Sequence, residues 1–110
     1  MKIIILIVFL SLFFTYSYSQ EMYSYYENKK PKELITFSDN VLDGQCIAWD
    51  SLGNITAIGN YKLGLKHGEW KIWYDNGRLA YSFHYKNGQK IGVWKSWNKN
   101  GVLISKKEYQ

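Results

Sequence analysis

The sequence predicts an all-β protein, an elongated and twisted antiparallel sheet of stacked β-hairpins. Three observations carry the prediction. Identical residues recur at a spacing of 24, Asn-Gly pairs punctuate the repeats, and apolar and polar residues alternate along the runs between them.

The spacing is the firmest of the three. Gly68 and Gly92, Trp70 and Trp94, Lys71 and Lys95, and Trp73 and Trp97 are each 24 apart. So are Asn76 and Asn100, Gly77 and Gly101, Leu79 and Leu103, and Tyr85 and Tyr109. Two of these matches are tryptophans, a rare residue, and no gap is needed, so chance is a poor explanation. Tyr61, Gly64 and Lys66 extend the pattern backwards from Tyr85, Gly88 and Lys90. Gly44, Trp49, Gly53 and Ile55 do the same from Gly68, Trp73, Gly77 and Leu79, with Cys46 in the place of Trp70. One step earlier, Phe37 aligns with Tyr61 and Asn40 with Gly64. The reading is a repeat domain over 33–110, with a half-copy at 32–43 and copies at 44–67, 68–91 and 92–110.

Ahead of it, Lys2 is followed by an apolar run from Ile3 to Phe14 and a polar stretch from Thr15 to Ser19. This is the pattern of a cleaved signal peptide over 1–19, with the cut between Ser19 and Gln20. The apolar core falls short of the ~20 residues a spanning helix needs; a membrane anchor through this segment is the alternative. The chain is thus expected to be exported, to the periplasm, the outer membrane surface or the medium. Residues 20–32 have no clear period and read as a mobile N-terminal arm, or as a short strand capping the first hairpin.

Within each copy, Asn76-Gly77 and Asn100-Gly101 separate two aromatic-rich runs. Asn-Gly tolerates positive φ at both residues, so a type I′ hairpin turn is expected at each. Gly53 marks a weaker turn, and Asn87-Gly88 links one hairpin to the next. Leu79, Tyr81, Phe83 and Tyr85 fall on one face of a strand, and Ala80, Ser82, His84 and Lys86 on the other. Trp70 and Trp73 differ by three, so either a bulge re-aims one ring or the two indoles take opposite faces. A single hairpin is marginal in water, and stacking shares its apolar face with its neighbours. The expected core is therefore Trp49, Tyr61, Trp70, Trp73 and Leu79, continued by Tyr85, Trp94, Trp97, Leu103 and Tyr109.

The chemistry of catalysis is thin. The net charge is +5, spread mostly as single residues, which gives no pointer to nucleic acid. Cys46 is the only cysteine, so no intrachain disulfide forms, and burial is expected for it. His67 and His84 are the only histidines and share no ligand spacing with each other or with Cys46. No phosphate-binding glycine loop is present. No enzyme activity, metal or cofactor is expected.

The run "GEWKIWYDNGRL", followed by "YKNGQKIGVW", resembles the MORN repeat in the variant common in bacteria, to which proteins named YwqK-family antitoxins of toxin–antitoxin systems belong. The likeness covers about Phe37 to Tyr109. It implies a sheet of successive hairpins, a role in protein interaction, and for some members association with membrane lipid; the antitoxin name implies neutralising a partner toxin. The resulting expectation is a non-enzymatic binding or scaffold module with a protein partner at the cell envelope. Antitoxin-like neutralisation of a toxin is the alternative. So is contact with anionic lipid or cell-wall glycan, through exposed rings and Lys71, Lys86, Lys90, Lys95, Lys106 and Lys107. The C-terminal edge strand offers a route to a homodimer.

Overall fold

The computed structural model describes residues 18–110. The signal-peptide reading and the anchor alternative rest on residues that lie almost wholly outside them. Ten strands form one antiparallel sheet: β1 Ser19–Tyr25, β2 Pro31–Ser38, β3 Val41–Leu42, β4 Gly44–Trp49, β5 Ile55–Lys62, β6 Leu65–Lys66, β7 Gly68–Trp73, β8 Leu79–Lys86, β9 Gln89–Trp97 and β10 Leu103–Tyr109. The order is β1-β2-β4-β5-β7-β8-β9-β10, with β3 and β6 as short extensions pairing β2 and β5. Chain order and spatial order coincide, so the sheet is a plain meander. The all-β stacked-hairpin expectation holds.

The 24-residue period reaches further back than expected. β1 pairs with β2 from Ser19↔Ser38 to Tyr25↔Pro31. The first hairpin is therefore complete, and residues 20–32 form its first strand and corner. The corner repeats in its backbone bonds. Tyr26, Asp50, Tyr74 and Asn98 each donate N–H to the residue four on, and each accepts from the residue three on. The third-on residues are Lys29, Gly53, Gly77 and Gly101, all at positive φ. Sequence alone hid this copy because Met22, Tyr25 and Lys29 stand where the later copies carry Trp70, Trp73 and Gly77.

The corners are not the type I′ turns expected at Asn76-Gly77 and Asn100-Gly101. Only the glycine of each pair has positive φ, +81° at Gly77 and +82° at Gly101. A three-residue loop with a single left-handed residue is a type I turn closed by a glycine bulge. An Asp or Asn three residues before the glycine, or an Asn one before it, anchors the turn: Asp50 Oδ1 accepts from the N–H groups of Leu52 and Asn54, Asn98 Oδ1 from those of Asn100 and Val102, and Asn76 Oδ1 from Arg78 N–H. The type I′ geometry belongs to the links instead. Asp39-Asn40, Leu63-Gly64 and Asn87-Gly88 each have two consecutive positive φ values between directly paired residues.

Among the described residues the single sheet layer has no second layer to bury against, and the core is correspondingly small. Among the described residues, the buried hydrophobic side chains are Leu34 and Ala80. The ten residues expected as core are half-buried, except Leu103, which is 47% exposed on the edge strand β10. Cys46, expected to be buried, is only partly so.

Candidate binding face

Directly paired residues share a face of an antiparallel sheet, and neighbours along a strand alternate. The register therefore sorts the side chains. Cys46↔Gly59, Trp70↔Phe83, Gly68↔Tyr85, Trp94↔Lys107 and Gly92↔Tyr109 lie on one face. Lys71↔Ser82, Ser82↔Lys95 and Lys95↔Lys106 lie on the other. Trp73 belongs to this second face, where it borders a hollow with Ile58, Glu69 and Lys71. The two indoles of each copy thus point to opposite sides, and a bulge lies opposite the second of them: on β8, where the register skips Ala80 across from Trp73, and on β10, where it skips Ile104 across from Trp97.

The first face carries a ladder of rings. Tyr61 meets Trp70 edge-on at 5.3 Å between centroids, Trp70 meets Tyr85 at 6.4 Å, Tyr85 meets Trp94 at 5.1 Å and Trp94 meets Tyr109 at 5.3 Å. Edge-to-face contact sets the positive rim of one ring against the negative face of the next. Lysines cap the ladder. Lys66 Nζ stands 5.2 Å from both Trp70 and Tyr85, and Lys90 Nζ 4.7 Å from Trp94 and 5.5 Å from Tyr109. Lys107, the third cation of the ladder, is the second over Tyr109. A cation over an indole face is worth about 0.5–2 kcal/mol. These lysines hold rings in place as well as carrying charge.

Each indole is seated differently. Trp94 tilts onto Phe83 at 4.9 Å and donates Nε1–H to the carbonyls of His84 and Ile91. At the equivalent place under Trp70 stands Gly59, and a Cβ there would come within 2.3 Å of the ring. The missing side chain lets the indole lie against the backbone. Trp70 Nε1 has no hydrogen-bond partner among the described residues.

The six lysines proposed for surface contact are divided by the sheet. Lys71, Lys95 and Lys106 cross the second face in one row, and Lys86 follows His84 on that same side. Lys71 pairs with Glu69 at 2.8 Å, which holds the Glu69 carboxyl below the ordinary carboxylate range. Lys90 and Lys107 belong to the ring face. Lys66, which is not among the six, is shared between two rings as Lys90 is.

The histidines have structural surroundings. His67 Nδ1 accepts the N–H of Asn87, and Asp43, 24 residues earlier, accepts the N–H of Leu63 through Oδ2. An acidic and an aromatic residue thus anchor successive link turns by the same bond, an equivalence that residue identity conceals. His84 sits opposite Glu69 and Ile91. Among the described residues there is no group of three or more His, Cys, Asp or Glu placed to hold a metal.

At the other margin, alternate corners clasp. Tyr26 Oη donates to Trp49 O at 2.6 Å and Tyr74 Oη to Trp97 O at 2.7 Å. Asn28 and Asn76 donate Nδ2–H to Ser51 O and Lys99 O. Tyr26 and Tyr74, like Asn28 and Asn76, are 48 apart, so hairpins are joined in pairs at their tips. Sequence reasoning missed this double period; the shared Tyr-x-Asn of "YEN" and "YDN" was the available signal.

These features define a single-layer repeat sheet with a ladder of rings capped by lysines on one face and the row of Lys71, Lys95 and Lys106 on the other. A family model for the MORN repeat variant matches residues 21–39, 66–87 and 90–110, more than half of the chain. The chain belongs to that family, whose repeats are non-catalytic and generally bind proteins or membranes. The first matched segment spans the stretch expected to be an arm or a capping strand and most of the half-copy that follows it. No curated protein and no solved structure matches the chain.

Proposed function

We propose that this chain is an exported, non-enzymatic module that binds a protein partner at the cell envelope, using the ring face of its sheet. The observation that supports this reading is the uncovered face itself. Trp70, Tyr85, Trp94 and Tyr109 are ordered against one another yet remain half-exposed, and Tyr81 beside them is 46% exposed. A contiguous apolar surface of this kind, edged with lysine, is what an interface presents before its partner arrives. The signal-peptide pattern of residues 1–19 supports export.

The test is capture of partners by the tagged full chain from envelope extracts of the producing cells, read by mass spectrometry. A single stoichiometric polypeptide, lost when Trp94→Ser and Tyr109→Ser are combined, is the expected result. A partner that is toxic when produced alone makes the module an antitoxin of the YwqK kind. Recovery of anionic lipid or wall glycan without a polypeptide contradicts the reading and moves the function to the basic row of Lys71, Lys95 and Lys106. Self-association through the exposed β10 edge appears in the same experiment as capture of untagged copies.

A further inference from the structure

The ladder has a missing rung. At the position of Trp70 and Trp94 the second hairpin carries Cys46, and a concavity of about 230 Å³ opens there. Its walls include Ile35, Leu42, Cys46, Tyr61 and Trp70, with Glu33 at the rim. The next two hairpins show what such a place holds, because in each the space is filled by an indole standing edge-on to a tyrosine.

The charged groups of this rung differ as well, although Lys66 of the next rung also lies within electrostatic reach of Cys46. Lys66 and Lys90 supply the cation over the rings of Trp70 and Trp94, and the equivalent residue at the empty rung is Leu42. Ala57 and Tyr81 stand at the positions equivalent to Glu33. This rung has lost its own cation and gained a carboxylate, and Glu33 takes part in neither ion pair found among the described residues.

We infer that the hollow beside Cys46 receives an aromatic side chain, best an indole, from a partner polypeptide in which a lysine or arginine flanks that ring. The entering ring stands edge-on to Tyr61 and beside Trp70, extending the ladder by one rung, and its neighbouring cation meets Glu33. The occupant's identity as a polypeptide rests on the proposed function; the affinity of the hollow for a cation-flanked ring does not.

The probe is the blocked tripeptide Lys-Trp-Lys, with Glu-Trp-Glu and Lys-Ala-Lys as controls, titrated calorimetrically into the full chain. Alkylation of Cys46 by iodoacetamide, followed by intact mass, reports the place of binding because this is the only cysteine. Lys-Trp-Lys is expected to bind and to slow alkylation at least threefold. Glu-Trp-Glu should bind more weakly by about two- to fivefold, the effect of one partly exposed charge pair, and Lys-Ala-Lys not at all. Glu33→Lys should invert the order of the two tryptophan peptides. Cys46→Trp fills the rung from within and should abolish binding; should that variant fail to fold, Glu33→Lys carries the test. No binding of Lys-Trp-Lys, no protection of Cys46, or equal binding of the two tryptophan peptides overturns the inference. Failure of partner capture alongside successful tripeptide binding would refute the proposed function and leave the hollow's chemistry standing.

Discussion

Gly59→Ala gives the sharpest test of how the ladder is packed. Gly59 lies inside β5, where replacing glycine by alanine ordinarily stabilises by about 0.5–1 kcal/mol. Here the added Cβ would stand 2.3 Å from Cδ2 and Cε3 of Trp70, against 3.4–4 Å for an ordinary contact. The indole must retreat by roughly 1 Å, and overpacking of this kind costs about 1–3 kcal/mol. Retreat also disturbs the edge contacts with Tyr61 and Tyr85, each worth about 0.5–1.5 kcal/mol. The net expectation is a loss of about 1–2 kcal/mol, read as a fall in Tm of roughly 5–15 °C for a domain of this size. Thermal unfolding followed by circular dichroism measures it. The same substitution in a Trp70→Leu background should cost little, because the colliding ring is gone, so the cycle reports the contact itself. An unchanged or raised Tm for Gly59→Ala alone would refute the placement of Trp70 over Gly59.

Gly77→Val should destabilise by about 1–2 kcal/mol through backbone conformation alone, since φ is +81° and the space around the Cβ is open; Gly77→Asn should recover much of the loss in the same unfolding assay. Tyr74→Phe removes the bond to Trp97 O and should cost about 0.5–1.5 kcal/mol in urea unfolding, with the same expected of Tyr26→Phe. Asp50 is held below the ordinary carboxylate range first by the backbone N–H of Asn54, so its contribution is present above the unfolded pKa and is lost as pH falls through the folded one. Asp50→Asn should flatten that acid limb while keeping the corner, because Asn98 makes the matching bonds in the fourth hairpin. Burial raises the Cys46 thiol, so its alkylation should be slow near neutrality and rise only above the ordinary thiol range; the stability tied to it is present below the unfolded pKa and declines as pH climbs.

What the sequence could show follows from how each feature is encoded. The period was legible because Trp70/Trp94, Gly77/Gly101 and Tyr85/Tyr109 are identity matches of residues that few positions accept. The first hairpin was not, because its geometry survives in Lys29 at positive φ and in the corner bonds of Tyr26, while the tryptophans and glycine that advertise a copy are absent. The turn types were exchanged for a related reason. Asn-Gly suits both a type I′ turn and a glycine bulge, and loop length decides between them: two residues at Asn87-Gly88, three at the corner that ends in Gly77. The division of the lysines between faces follows only from register, which the bulges opposite Trp49, Trp73 and Trp97 shift in ways residue spacing does not show.

The proposed function requires that the ring face, and not the face carrying Lys71, Lys95 and Lys106, meets the partner. Site-specific photo-crosslinking in the producing cells tests it most directly, with benzoylphenylalanine placed at Tyr81 on the ring face or at Lys95 on the opposite one. A discrete polypeptide adduct is expected from position 81 and none from position 95. An adduct from position 95 alone would contradict it.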